Sequence, residues 1–164
     1  MPGLIWLKKE AADMAVQDPV RVRGVQPGDL AEVIGIDAGI TGMRKPDYWS
    51  EILQRYGSGR RRQRFFLVAE GGGRIEGFAI GEVRDWEYGM PPCGWVFAIG
   101  VRPDARLEGI GTRLLDTICE GFRRLGVTKV RTILARDNSL ILSFFRSQGM
   151  MAAPFIALEK DIES

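Results

Sequence analysis

Arg106, Gly109 and Gly111 stand at a spacing suited to holding phosphate, Arg-x-x-Gly-x-Gly, between an apolar run and an amphipathic one. A helix start leaves several backbone N–H groups without partners and carries roughly half a positive charge from the macrodipole, so an anion docks there favourably. Glycine has no Cβ to obstruct the approach, and an arginine just ahead adds a fixed cation with planar donors. Glycines in a strand-to-helix connection also serve turn geometry or close packing, and Gly-x-Gly alone does not choose between these uses. The offset of the cation and the Gly100-Val101 strand end favour a site over a mere bend. Dinucleotide and nucleoside triphosphate sites fit less well, since the turn has neither Gly-x-Gly-x-x-Gly nor Gly-x-x-x-x-Gly-Lys-Ser/Thr.

The elements that must position this turn are legible on both sides of it. Ahead of it, Trp95, Phe97, Ile99 and Val101 alternate with Val96, Ala98 and Gly100, which predicts a strand from Cys93 to Val101 covered on both faces. Behind it, Ile110, Leu114, Ile118, Phe122 and Leu125 recur at helical spacing, with Arg113, Asp116, Glu120, Arg123 and Arg124 toward solvent.

Arg106-x-x-Gly109-x-Gly111, preceded by Ile99-Gly-Val-x-Pro103 and followed by Leu114-Leu115, resembles the acetyl-CoA pyrophosphate motif of the GNAT superfamily of N-acetyltransferases. Asp137-Asn138, then Ser143-Phe-Phe-Arg-Ser-Gln-Gly149-Met150, resembles that family's later segment, in which an asparagine opens a helix ending in an aromatic pair, three residues, Gly and an apolar residue. The resemblance covers roughly Val20 to Glu159. It implies an α/β (α+β) single-domain GNAT-like fold, with a central mixed, mostly antiparallel sheet of six to seven strands flanked by about four helices.

The resemblance also implies acetyl-CoA as co-substrate. Backbone N–H groups of Leu107, Glu108, Gly109, Ile110, Gly111 and Thr112 would take the pyrophosphate while Arg106 shields its charge. The family splays its fourth and fifth strands to admit the pantetheine arm, and Gly100 is suited to an irregularity there. Ile99 and Val101 would offer main-chain groups to the arm, and an N–H near Ile99 would stabilise the thioester oxyanion. Asn138 is the matching polar contact, although an ordinary helix cap explains it equally well. Phe145 stands where the family often has a tyrosine that protonates the departing thiolate; it has no proton to donate, and the resemblance implies a residue that packs against the cofactor.

An amine must lose its proton to attack, and with a reference pKa near 10 only about one in a thousand is neutral at pH 7. Where some members carry an acid on the central strand, this chain has Trp95. The remaining bases are Glu82, on the face of Phe78 and Ile80 where burial would raise its pKa, and Asp85 and Glu87 in the following loop; Tyr88 or Tyr48 could serve as acid. A solvated charge at a strand end explains Glu82 as well. Trp49, Trp86 and Tyr88 fall in segments that border the acceptor cleft in the family, with core packing the alternative for Trp49.

The chain contains no histidine, which excludes His-containing zinc sites, a Ser-His-Asp triad and a Cys-His pair. No metal is expected, and direct attack by the substrate in a ternary complex is favoured over a covalent relay. Cys93 reads as a small buried hydrophobe, although its place after Pro91-Pro92 allows an acyl carrier.

The rest of the chain reads as follows. Val20–Val25 alternates as a strand, Pro27-Gly-Asp29 opens a helix to about Asp37, and Pro46-Asp-Tyr-Trp-Ser opens another that stops at Gly57-Ser-Gly59. Phe65–Ala69 and Ile75–Arg84 form a hairpin about Gly71-Gly72-Gly73. Thr128–Arg136 is a strand, Asn138 caps a helix to Gln148, and Met151–Glu159 is a strand that closes the sheet. Residues 1–18 read as a partly helical arm, of use in dimer packing or of none, leaving 19–164 as a single acetyltransferase domain; a homodimer stays open.

With 164 residues and 45% hydrophobic content the chain can bury roughly two-thirds of its unfolded surface. A net charge of +2 carries no nucleic-acid or membrane signature. Two cysteines make no disulfide framework, and no run of about eighteen apolar residues exists, so a cytoplasmic protein is expected. Arg60-Arg-Arg-Gln-Arg64 is the one dense charge run; it reads as a solvated loop, with nucleic acid, an acidic peptide or the CoA 3′-phosphate as other partners. Three functions follow. The first is an N-acetyltransferase acting on a small amine or a peptide amino terminus. The others are a non-catalytic acyl-CoA-binding sensor and an RNA- or ribosome-associated protein.

Overall fold

The computed structural model describes residues 19–59 and 61–162, so the arm expected over residues 1–18 and Arg60 lie outside the described residues. The chain forms two compact units, with the boundary between Thr132 and Ile133.

The first unit is built on a mixed sheet. Strand β1 (Arg21–Gly24) pairs antiparallel with β2 (Arg64–Gly71), β2 with β3 (Arg74–Arg84) and β3 with β4 (Cys93–Val101); β5 (Val130–Arg131) joins β4 in parallel. Period-two alternation divides the side chains between two layers. Phe66, Val68, Phe78 and Ile80 meet helices α1 (Leu30–Thr41) and α2 (Pro46–Tyr56) on one face. Leu67, Ala69 and Ala79 meet α3 (Ile110–Arg124) on the other. Helix α2 starts where proline at the first turn and Asp47 favour it, and α1 runs past the expected Asp37 to stop at Gly42. Trp49 belongs to the core: it is 1% exposed and its Nε1 donates to Asp37 Oδ2 at 3.0 Å.

The fold class is the one expected, but among the described residues the sheet has five strands where six to seven were anticipated. The strand expected over Thr128–Arg136 shrinks to two residues, and Met151–Glu159 forms no strand. Apolar alternation names a strand only where an edge is there to receive it, and Pro154 withholds one N–H from any ladder. In the second unit helix α4 (Ser139–Ser147) is the regular element, and Met151, Ile156 and Leu158 are 87%, 86% and 92% exposed.

The β3/β4 register shifts between Ile80 and Gly81: Ile80 faces Ala98 while Gly81 faces Val96, which leaves Phe97 as an extra residue in β4. The irregularity expected at Gly100 is therefore at Phe97. Gly100 stays in register opposite Phe78, and its missing Cβ serves packing, since a Cβ there would fall 2.8 Å from Phe78 Cε1. The extra residue inverts the alternation. Trp95 pairs with Glu82 on the α1/α2 face, whereas Ile99 pairs with Ala79 on the α3 face, so the two do not share a face as the sequence pattern implied.

Candidate active site

Two features of the first unit carry chemical potential, one at each end of β4. At the Val101 end the chain enters a 3-10 turn over Pro103–Glu108, then Gly109 at φ 72°, ψ 16°, then α3. That left-handed conformation is cheap for glycine and costs an L side chain about 1 kcal/mol or more. No side chain caps α3 and its first turn contains no acidic residue, so the N–H groups of Ile110, Gly111 and Thr112 are not taken by a carboxylate or hydroxyl. Space around Gly109 is open, with no atom within 4 Å of where a Cβ would stand. The structure thus brings Arg106, Leu107, Glu108, Gly109, Ile110, Gly111 and Thr112 together at a helix N-terminus of fifteen residues. Ala105 and Ile110, 2% and 0% exposed, anchor the turn from beneath while Arg106 and Glu108 face solvent.

A salt-linked set holds this turn, and the sequence reading missed it. Arg102 Nε donates to the Ile75 carbonyl at 2.6 Å and its Nη2 to Glu32 Oε2 at 2.8 Å. Arg74 donates to Glu76 Oε1 at 2.8 Å and to Asp104 Oδ2 at 2.9 Å, holding the Asp104 carboxyl below its ordinary range. The start of β3, helix α1 and the turn are tied by these contacts. Only the register of residues far apart in sequence reveals them.

Ile99, Gly100 and Val101 lead into the turn from β4. Pairing of β4 with β5 covers Gly94 and Trp95 alone, so among the described residues no strand of this unit lies beside Val96–Val101 on that side. The parallel pairing of β4 with β5 thus ends at Trp95.

At the other end of β4 lies Glu82. Its Oε2 accepts from the Tyr56 hydroxyl at 3.0 Å and faces Arg64 Nε at 3.6 Å, while Oε1 meets Arg84 Nε at 3.3 Å. Burial, then the hydrogen bond to Glu82, pushes the Tyr56 hydroxyl above its ordinary pKa. The Arg84 guanidinium stacks 4.8 Å from the Trp95 ring centre, and the Tyr56 and Phe97 rings meet edge-on at 5.2 Å. Trp95 Nε1 is buried without a partner. Of the other candidates, Asp85 and Tyr88 are exposed and Glu87 is half-buried, in a loop where Trp86 and Tyr88 hold φ of 47° and 53°; no hydrogen bond or ion pair joins Asp85, Glu87 or Tyr88 to Glu82. Tyr56, Arg64 and Arg84 were missed because only the Arg64–Glu82 register and the helix end at Tyr56 bring them together.

Asn138 and Phe145 lie in the second unit. Asn138 Oδ1 accepts from the Ile141 N–H at 3.2 Å, which is the helix-cap use. Phe145 is 4% exposed and packs edge-on against Phe144 at 5.1 Å. Cys93 is 3% exposed and burial pushes its thiol above the ordinary range, which suits a packing role better than an acyl carrier. A groove of about 660 Å³ between β2 and the second half of α3, lined by Phe65, Leu67 and Cys119 among others, shares no residue with either end of the site.

An anion-ready helix start after an interrupted β4, at the end of a mostly antiparallel sheet, points to a family, and residues 32–150 match the acetyltransferase (GNAT) family. This chain is a GNAT-family protein. It is 31% identical over 85 residues to a mycothiol acetyltransferase of Pseudarthrobacter chlorophenolicus, covering 52% of this chain and 26% of that protein. It is 33% identical over 79 residues to the L-2,4-diaminobutyric acid acetyltransferase of Nocardia farcinica, covering 48% of this chain and 39% of that protein. The aligned part is thus well under half the length of these relatives. Among solved structures, an aminoglycoside N-acetyltransferase in complex with CoA superposes at TM-score 0.75 with 15% identity, covering 87% of this chain and 94% of that one. A transcriptional regulator from Bacillus halodurans superposes at 0.74 with 18% identity, covering 87% and 99%. Likeness at that identity is likeness of fold. Among the described residues no helix is long and apolar enough to cross a membrane, and no group of His, Cys, Asp and Glu is arranged to hold a metal ion.

Proposed function

We propose that this GNAT protein is an N-acetyltransferase that moves an acetyl group from acetyl-CoA to a primary amine by direct attack in a ternary complex. The observation that carries the reading is the start of α3, where first-turn N–H groups stand uncapped beside Gly109 in open space. The donor set suits a diphosphate ester: main-chain amides, a helix dipole and Arg106. Ile99, Gly100 and Val101 offer an open strand edge to the arm that follows, and the thioester at its end supplies the acetyl group. The names of the sequence relatives, both acetyltransferases, support the same reading.

Glu82 is our choice for the carboxylate that handles the amine proton. Its Oε1 keeps a lone pair beyond the contact with Arg84, and it lies on the face of β3 toward α2. Asp85, Glu87 and Tyr88 are the reserve candidates in the neighbouring loop. Asn138 and Phe145 remain assigned to the cofactor on family resemblance; Phe145→Tyr should then leave CoA affinity nearly intact. We also place the protein in the cytoplasm, on its two free cysteines.

A second reading, an acyl-CoA-binding sensor, draws on Phe145, which has no proton to donate, and on Glu82 being held by three donors. Thiol release from acetyl-CoA with an amine panel separates the two. Release supports catalysis; heat of CoA binding without release supports the sensor.

A further inference from the structure

We infer that the acceptor carries an anionic group, a carboxylate or phosphate, which Arg84 and the Trp95 indole N–H receive while Glu82 faces the amine. The inference rests on the acetyl-transfer reading and names the class of its second substrate.

Charge decides first. Arg55 and Arg64 both stack on the Tyr56 ring, at 5.8 and 4.9 Å from its centre, and Arg64 and Arg84 both reach Glu82. Two guanidiniums therefore flank one carboxylate, an excess of one positive charge, and Arg55 over the Tyr56 ring adds a third cation nearby. Asp85, exposed at the end of β3, and Glu87, half-buried near Cys93, are the neighbouring acids, and neither pairs with these arginines. An amine with further ammonium groups would meet repulsion here. One bearing an anion would be drawn in.

Directional groups decide second. A buried indole N–H with no acceptor costs free energy that a native fold rarely leaves unrecovered, and Trp95 Nε1 is in that state. Arg84 lies over the same ring and spends Nε on Glu82, which leaves its terminal N–H groups for an oxyanion. A carboxylate or phosphate is the ligand chemistry that accepts from a guanidinium and an N–H together. Position decides third: Trp95 is the last residue of β4 with a β5 partner, so the donors sit where that pairing ends, about 20 Å of strand from Val101.

The test compares acceptors that differ in the anionic group, with each rate referred to the free amine present at the working pH, because a nearby anion raises the amine pKa. The kcat/KM for thiol release is measured with γ-aminobutyrate against γ-aminobutyramide, and with phosphoethanolamine against ethanolamine. We expect about ten-fold or more in favour of the anionic member of at least one pair, the size of one charge-assisted hydrogen bond. The pair that shows it tells carboxylate from phosphate. Arg84→Gln should bring the ratio toward one, and raised salt should shrink it in the native protein. Equal or better use of the neutral member in both pairs overturns the inference, as does a preference that survives both Arg84→Gln and Arg64→Gln. Thiol release without preference sinks this inference alone; no release with any acceptor and no heat from acetyl-CoA sinks the acetyl-transfer reading beneath it. Should acetyl-CoA bind without turnover, calorimetry of the same pairs on the CoA-saturated protein decides by the same ratio.

Discussion

The Tyr56 hydroxyl donates to Glu82 Oε2 at 3.0 Å, so the last residue of α2 orients a carboxylate near the end of β3. A proton acceptor is useful only while it is aimed, and a buried phenol aims it without adding charge. Tyr56→Phe keeps the ring on Phe97 and removes the donor. Thiol release should fall about ten-fold, with acetyl-CoA affinity unchanged by calorimetry and stability lower by about 1 kcal/mol in urea melts.

Glu82→Gln keeps shape and removes both ion pairs. If the carboxylate takes the amine proton, kcat should drop about 100-fold or more, and the drop should lessen as pH rises and the free amine becomes abundant. A pH-independent loss would place Glu82 in positioning alone.

Gly109→Val forces a β-branched residue to φ 72°, with nothing nearby to clash. The folded state should lose about 1–2 kcal/mol, and CoA affinity should fall by more than ten-fold because the obstruction points into the proposed anion site. Gly109→Asn, which tolerates the left-handed region, separates the two: stability should recover further than affinity.

Asp29 carries an acid-side dependence of stability. Its carboxyl is held below the ordinary range first by the hydrogen bond from Arg23, two of whose nitrogens reach it at 2.7 and 3.0 Å, against the opposing effect of burial. A depressed folded-state pKa means that this contribution is complete above the unfolded value, about 3.9, and is lost as pH falls through the folded one. Asp29→Asn should therefore cost about 1 kcal/mol at neutral pH and flatten the stability profile below pH ~4, read by urea melts across that range.

Arg102→Ala removes the link between Glu32 of α1 and the Ile75 carbonyl, leaving a buried acceptor short of one donor. A loss of about 2 kcal/mol in thermal melts is expected, with Arg102→Lys recovering little, since a point charge cannot reach both partners.

What could be read in advance was local. The helix after Gly109, the hairpin at Gly72-Gly73 and the strand Cys93–Val101 each follow from spacing within one segment, and each is present. The network of Arg102, Glu32, Arg74 and Glu76 was invisible because it joins α1 to β3 through register and turn geometry that no single window contains. The same applies to Tyr56, Arg64 and Arg84 about Glu82. Thr128–Arg136 and Met151–Glu159 were read as strands on alternation, which reports an amphipathic ribbon but not its neighbour.

The supernumerary Phe97 gives β4 two reading frames, one upstream and one downstream. A deletion of that residue would merge them, and the merged strand would have to send Trp95 into the space under Phe122, where even a methyl on Gly94 already meets the ring at 2.3 Å. Substitutions at this position should thus be tolerated far better than its loss, because what the fold uses there is one residue's worth of length.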